Sequence, residues 1–397
     1  MNTSSESPYY PRSGRFVLIA VIFCTLLVNQ SVHAQWLGDP AFEAKISQGI
    51  NHIYSMSLDS ARGEFQDIAR LKPDHPAGPF FLAMVEWWTI MTDIDNESHD
   101  ASFIALIERT IDVCDKRLDK NENDIDALFF KGGAIGFRGR LHANRGDWVK
   151  AANDGRIALP IVQQAYKLAP KNYDVLLGIG IYNYYASTIP EQYPIVKPLM
   201  LFFPKGDKQR GVTQLLEASQ RASYANIEAA YFLVQLYQNY EKLPQQALPL
   251  AENLVKRFPR NPIFQKYLGR IYTSLAQWDN IRRVFSEILE RSRGRQFGYN
   301  TVTEREAEYY LGMVEMQSRR YETALPHFYR CDELSRSLDK NTQSGFMSMT
   351  NLRIGMIYDK QGKRQPAIDQ YKKVLKIDDY QNAHDQAHAY IDSPYNK

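Results

Sequence analysis

Three segments decide the reading of this chain: YLGRIYTSLAQWDNIRRVF (267–285), YLGMVEMQSRRYETALPHF (310–328) and RIGMIYDKQGKRQPAIDQY (353–371). Each opens with an apolar residue and a glycine: Leu268-Gly269, Leu311-Gly312 and Ile354-Gly355. A tyrosine follows (Tyr272, Tyr321, Tyr358), with Ala324 and Ala367 further on in the second and third segments, and an aromatic closes each one (Phe285, Phe328, Tyr371). The glycines are 43 residues apart both times. Self-similarity at such a period marks an array of small helical or strand units. Apolar residues at helical spacing, with no strand alternation and no Asn-Gly hairpin, make the units helical. Glycine on one helix lets its partner approach closely, and alanine does the same from the other side. A lone helix pair cannot bury its faces, so stability must come from stacking neighbours.

Apolar-Gly, Tyr, Ala, aromatic is the tetratricopeptide pattern. The predicted fold is therefore all-α, a superhelical tetratricopeptide-type helix-hairpin solenoid. The basic unit has about 34 residues, so a spacing of 43 implies longer second helices or loops. Upstream the pattern is more degraded. Gly49, Ala61, Phe65 and Pro73 keep the expected offsets. Further pairs are read at 79–88 with 103–118, 129–141 with 148–168, 173–186 with 212–219, and 227–240 with 247–258. The division is a leader at 1–34, degenerate repeats at 35–222 and regular repeats at 223–397, with polar 382–391 as a capping helix.

The leader is read from Arg12 and Arg15 ahead of an apolar run, Phe16–Val28, and from Val32 and Ala34 before a cut at Gln35. That run has 13 residues, short of the roughly 20 that span a bilayer. The expectation is export to the periplasm or cell envelope, with an uncleaved anchor as the competing reading. Beyond the leader only Cys114 and Cys331 remain. They are read as buried small hydrophobes, and the fold as relying on its apolar core. Hydrophobic residues make up 44% and charged residues 23%, and the net charge is +3. This is globular composition, with no basic surplus to call for nucleic acid or an anionic membrane.

Two segments depart from the repeat. GGAIGFRGRLHANRGDW (132–148) carries Gly132, Gly133, Gly136 and Gly139 in a helical pattern, then basic residues through Arg156. Each such glycine costs about 1 kcal/mol relative to alanine, so it signals close helix contact or a group lying against backbone. Arg138, Arg140 and Arg145, with Trp148, Tyr184 and Tyr185, are candidate contacts for an anion or a partner; tight packing with a solvated basic edge is the alternative. The second segment, 189–205, holds Pro190, Pro194, Pro198 and Pro204 around the apolar stretch 199–203. It reads as a loop serving as a plug, a flap over the groove, or a peripheral membrane contact.

GGAIGFRGRLHANRGDWVKAANDGRIAL (132–159), GIGIYNYYASTIP (178–190) and FFPKGDKQRGVTQL (202–215) together resemble a group of exported bacterial tetratricopeptide proteins of unassigned function. The Gly-Asp-x-x-x-Gly element at 206–211 also resembles the inclusion-body clearance protein family. The resemblance implies that Arg138, Arg145, Trp148, Tyr184, Tyr185, Pro190, Asp207 and Gly211 belong to a shared core element. It implies no reaction.

No phosphate loop, nucleophile elbow or HExxH signature is present. His384 and His388 lie four apart on a helix, but no third ligand is evident. The chain is expected to work without catalysis, metal or cofactor, by binding a protein or peptide. In such arrays the first helices line the concave face. Aligning on the glycines puts Arg270, Thr273, Tyr309, Met313, Met316, Met356 and Asp359 there, some of them packed between units. Met and Tyr give an adaptable, partly apolar groove.

Overall fold

The computed structural model describes residues 39–192, 204–340 and 344–396. The leader and residues 193–203, including the apolar stretch at 199–203, lie outside the described residues. Among the described residues the helices are α1 (Pro40–Tyr54), α2 (Leu58–Leu71), α3 (Ala77–Thr92), α4 (Asp100–Leu118), α5 (Ile125–Asn144), α6 (Trp148–Leu168), α7 (Val175–Gln192), α8 (Lys208–Arg221) and α9 (Asn226–Gln235). They continue with α10 (Pro244–Arg257), α11 (Pro262–Ser274), α12 (Trp278–Arg293), α13 (Thr301–Gln317), α14 (Tyr321–Leu338), α15 (Gly345–Lys360), α16 (Arg364–Val374) and α17 (Ala383–Asp392). A π-helical turn, Leu236–Tyr240, extends α9. The described residues contain no strand. Each helix packs on the next, so α1/α2 through α15/α16 form eight successive units and α17 closes the stack. The fold is all-α, a tetratricopeptide-type helix-hairpin solenoid.

Local chemistry sets the boundaries. The side chains of Asp39, Asp124, Asp147, Asp207, Asn261 and Asn300 accept first-turn N–H bonds and start α1, α5, α6, α8, α11 and α13. In six units a three-residue link joins the two helices. Its middle residue is left-handed: Met56, Gly146, Lys242, Ala276, Arg319 or Gly362. The backbone of α7 runs to Gln192 through Pro190, so a helix enters the first residues of the stretch expected to be loop.

The repeat glycines do what their spacing implies. A methyl group on Gly269 would sit 2.6 Å from the Phe285 ring, and on Gly312 2.8 Å from Phe328. Gly355 is pressed on Tyr371 in the same way. In the first unit Gly49 repeats the arrangement, with its missing methyl 2.5 Å from Phe65. All four aromatic rings are fully buried.

The array also closes on itself. The largest core cluster draws buried side chains from all of the first seven units, from Phe42 to Val314. Trp88 of α3 packs on Tyr231 of α9 and Phe264 of α11, with ring centroids 5.5 and 5.6 Å away. Tyr54 of α1 meets Phe264 at 6.1 Å. Two asparagines tie the turns together. Asn261 caps α11 with its side-chain oxygen and donates its Nδ2 to the carbonyl of Tyr54, the last residue of α1, at 3.0 Å. Asn300 caps α13 and donates to the carbonyl of Thr92, the last residue of α3, also at 3.0 Å. Units 1 and 2 are thereby fastened to units 6 and 7. Where α1, α3, α9 and α11 meet, the expected concave wall is filled by the chain's own aromatic side chains.

Candidate binding face

The Gly/Arg segment lies on α5 and the start of α6. Gly132 and Gly139 face α6, where added methyl groups would meet Val162 at 2.6 Å and Asp154 at 3.1 Å. Close helix contact therefore explains these two glycines. Gly136 faces open space. Arg138 grips Asp154 through Nε and Nη2 (3.1 and 2.6 Å) and reaches Glu108 through Nη1 (2.5 Å). Those hydrogen bonds hold its guanidinium well above the usual range, against burial. Arg140 donates to Glu228 at 2.7 Å and lies over the rings of Trp87, Phe137 and Phe232. Glu228 also accepts from the Tyr54 hydroxyl at 3.2 Å. Arg145 holds both oxygens of Asp100 (2.7 and 2.8 Å) and the carbonyl of Ile94. Each of the three arginines thus carries an internal carboxylate and links different units. Beside Arg138, a hollow of ≈ 500 Å³ is lined by Ile104, His142, Val149 and Lys150. Trp148, expected as a contact, is 54% exposed, and Val149 next to it is 74% exposed.

Tyr184 is fully buried and is no surface contact. Gly180 and Gly211 let α7 and α8 cross backbone against backbone: a methyl on Gly211 would lie 2.7 Å from the Tyr184 nitrogen. Asp207 caps α8, and Gly206 packs on the carbonyl of Asn183. That crossing accounts for the Gly-Asp-x-x-x-Gly element. The crossing drives Tyr184 inward, where its hydroxyl donates to Glu241, which also pairs with Lys208. Burial and this bond push the Tyr184 phenol up. Tyr185 is half-buried against Phe232 and Tyr240.

The first helices of the last three units carry the remaining expected residues. Arg270 on α11 makes a bidentate pair with Glu306 on α13 at 2.5 and 2.6 Å. Burial alone would raise the Glu306 carboxyl, but the Arg270 charge and hydrogen bonds hold it low. Thr273 turns its hydroxyl back to the Gly269 carbonyl. Tyr309 is half-buried among Tyr310, Phe328 and Phe346, with centroids 5.3, 6.1 and 5.3 Å away. Met313 and Met316 are half-buried beside it. Two positions are corrected. Met356 is only 3% exposed and belongs to the core. Asp359 has no exposed side-chain surface: it accepts from Arg364 (2.9 Å), the Tyr371 hydroxyl (2.8 Å) and the Tyr395 backbone N–H (2.8 Å). The chain beyond α16 folds back over α15 and covers both.

The sequence reading missed Arg353, on α15. It has no ion-pair partner within 4.0 Å among the described residues, unlike Arg140 and Arg270. It also missed Lys266, whose ammonium is held below its usual range by burial, with Arg270 and Arg305 acting against Glu306. The signal for both was present in sequence only as two more basic residues.

Cys114 and Cys331 are free and buried, and burial pushes the Cys331 thiol up to about 12. His384 places Nε2 2.8 Å from the Ile377 carbonyl. Among the described residues no group of three His, Cys, Asp or Glu side chains could hold a metal ion. No helix among them is long and apolar enough to cross a membrane.

No protein-family model matches the chain, and no curated protein matches it. Solved structures do show likeness. A human IFIT1 dimer with m7Gppp-AAAA is 10% identical, with a TM-score of 0.41 and coverage of 90% of this chain and 87% of that one. The human IFIT1 dimer with PPP-AAAA is 11% identical, with a TM-score of 0.39 and coverage of 89% and 86%. Yeast Tom70 is 11% identical, with a TM-score of 0.35 and coverage of 89% and 88%. The fold assignment stands on the helix pairs themselves.

Proposed function

We propose that this chain is a non-catalytic binding scaffold, exported to the periplasm or cell envelope, that takes a protein or peptide segment on the first-helix face of its last two units. One observation carries the reading. Where α1, α3, α9 and α11 meet, the inner face is covered by the chain itself, whereas Tyr309, Tyr310, Met313, Met316 and Phe346 on α13 and α15 are left half-buried side by side. Such a row offers rigid aromatic anchors and pliable thioethers, a combination suited to an extended or helical segment. The leader pattern at 1–34 supports export. A near-neutral charge favours a protein partner over nucleic acid.

The test is site-directed photocrosslinking in an envelope extract. A crosslinking residue at Met313 should trap a discrete partner, and one at Leu71, on the outer side of unit 1, should not. Equal trapping at both positions, or turnover of a small metabolite by the purified chain without any partner, overturns the scaffold.

A further inference from the structure

First-helix arginines in this fold come with carboxylates. Arg140 holds Glu228 at 2.7 Å, Arg270 holds Glu306 at 2.5 Å, and Arg305 holds Asp339 at 2.7 Å. Arg353 breaks the rule. Its partners carry no charge: Nη1 lies 3.5 Å from Met356 Sδ, and the guanidinium hydrogen-bonds the Tyr309 hydroxyl. Its Nε is buried and has no acceptor. An arginine cannot shed its proton to escape such a position, and a buried donor left unmade is costly.

The surroundings say what would complete it. The guanidinium acts on the phenol of Tyr309, on α13, through its charge and a hydrogen bond, and on that of Tyr390, on α17, through its charge. Phe346 lies 5.3 Å from Tyr309, and Tyr395 lies 5.2 Å from Tyr390. The neighbouring cations are already engaged: Arg305 with Asp339, and Arg364 with Asp359. The site therefore offers one planar fork beside the phenols of Tyr309 and Tyr390, with no carboxylate of the described residues on it. One fork matches one carboxylate, whereas a polyanion binds through several cations at once.

We propose that Arg353 is the anion-receiving centre of this face and takes a carboxylate of a bound peptide, either its free C-terminus or an Asp or Glu side chain. This rests on the reading of the face as a peptide-binding surface. The ligand's apolar side chains lie along Tyr309, Met313 and Phe346 while its carboxylate meets the fork.

The test is affinity selection on the immobilised full chain with a randomised hexapeptide pool in three forms: both ends blocked, C-terminus free, and both ends blocked with one internal Glu. At least one carboxylate-bearing form should bind about tenfold or more tighter than the blocked pool. That gain should vanish in R353Q, and which form gains identifies the source of the carboxylate. The variant R353K keeps the charge but loses the fork, and should lose most of the gain. It also serves if R353Q fails to fold. Equal binding of all three forms by the wild-type chain overturns the Arg353 assignment and leaves the scaffold standing. Undiminished gain in R353Q or R353K overturns it as well. Binding of no form sinks both readings together.

Discussion

Gly312 and Phe328 show how much one missing methyl group decides. The ring of Phe328 is fully buried, with no room to swing away. Gly312→Ala should therefore force α13 and α14 apart, costing about 1–3 kcal/mol of overpacking against a helix-propensity gain of about 1 kcal/mol. Gly136, on α5, has open space where its side chain would go. Gly136→Ala should stabilise the chain by about 0.5–1 kcal/mol. Urea midpoints of the two variants should move in opposite directions, and movement in the same direction refutes the packing account. The glycine–aromatic pairs were legible in sequence because spacing alone specifies them. Asp359 was misplaced for a different reason. Alignment to Gly355 gives its angle around α15, but nothing local says that the chain around Tyr395 returns to cover that side. The hairpin links were unreadable too. Ala276 and Arg319 hold left-handed backbone, which costs a residue with a side chain about 1–2 kcal/mol, so neither looks like a turn residue.

Helix α13 is the element whose sequence most misleads. TVTEREAEYYLGMVEMQ carries charged residues that the repeat pattern does not place, and Arg305, Glu306, Glu308 and Glu315 are all buried. Each charge is answered from another element. Glu304 is met by Arg330, Glu306 by Arg270, Glu308 by Arg293 and His327, and Glu315 by Arg282 and Arg320. Except for Arg320, five residues on from Glu315 in the adjoining link, these partners sit in neighbouring helices, outside any periodicity window, so sequence could not pair them. The Arg320 hydrogen bond above all, helped by Arg282 and Thr323 against burial, lowers the Glu315 carboxyl from 4.5 to about 2. A carboxylate held low in the folded state adds stability above its unfolded pKa and loses it as pH falls through the folded one. Stability should decline between pH 4.5 and about 2. Glu315→Gln should be less stable near neutrality by about 1–3 kcal/mol, with a shallower decline across that acid window. Identical acid limbs in thermal melts of the two proteins would rule out the role assigned to Glu315.

On the scale of the whole molecule, the repeat pattern predicted the stack of pairs but not its closure. A repeat specifies how neighbours pack; curvature is the sum of many small rotations, and no single residue announces it. The two asparagines carry what the pattern lacks. Asn261→Asp keeps the cap on Ile263 and Phe264 but replaces the donor facing the Tyr54 carbonyl with a negative charge. Asn300→Asp does the same at Thr92. Each change should cost about 1–3 kcal/mol. The double variant should show a larger radius of gyration by small-angle scattering at unchanged helix content. Unchanged dimensions and stability would mean that the aromatic seam alone closes the array.

The two ties span nearly equal stretches of chain, 207 and 208 residues. Arrays of this kind ordinarily lengthen or shorten by gaining or losing whole repeats. Here, one added or deleted hairpin between Thr92 and Asn261 would carry both asparagines past their carbonyls at once and misalign Trp88 with its aromatic neighbours. The number of hairpins in that interval is in effect counted by the molecule, so lineages carrying this seam are free to vary their repeat number only outside it.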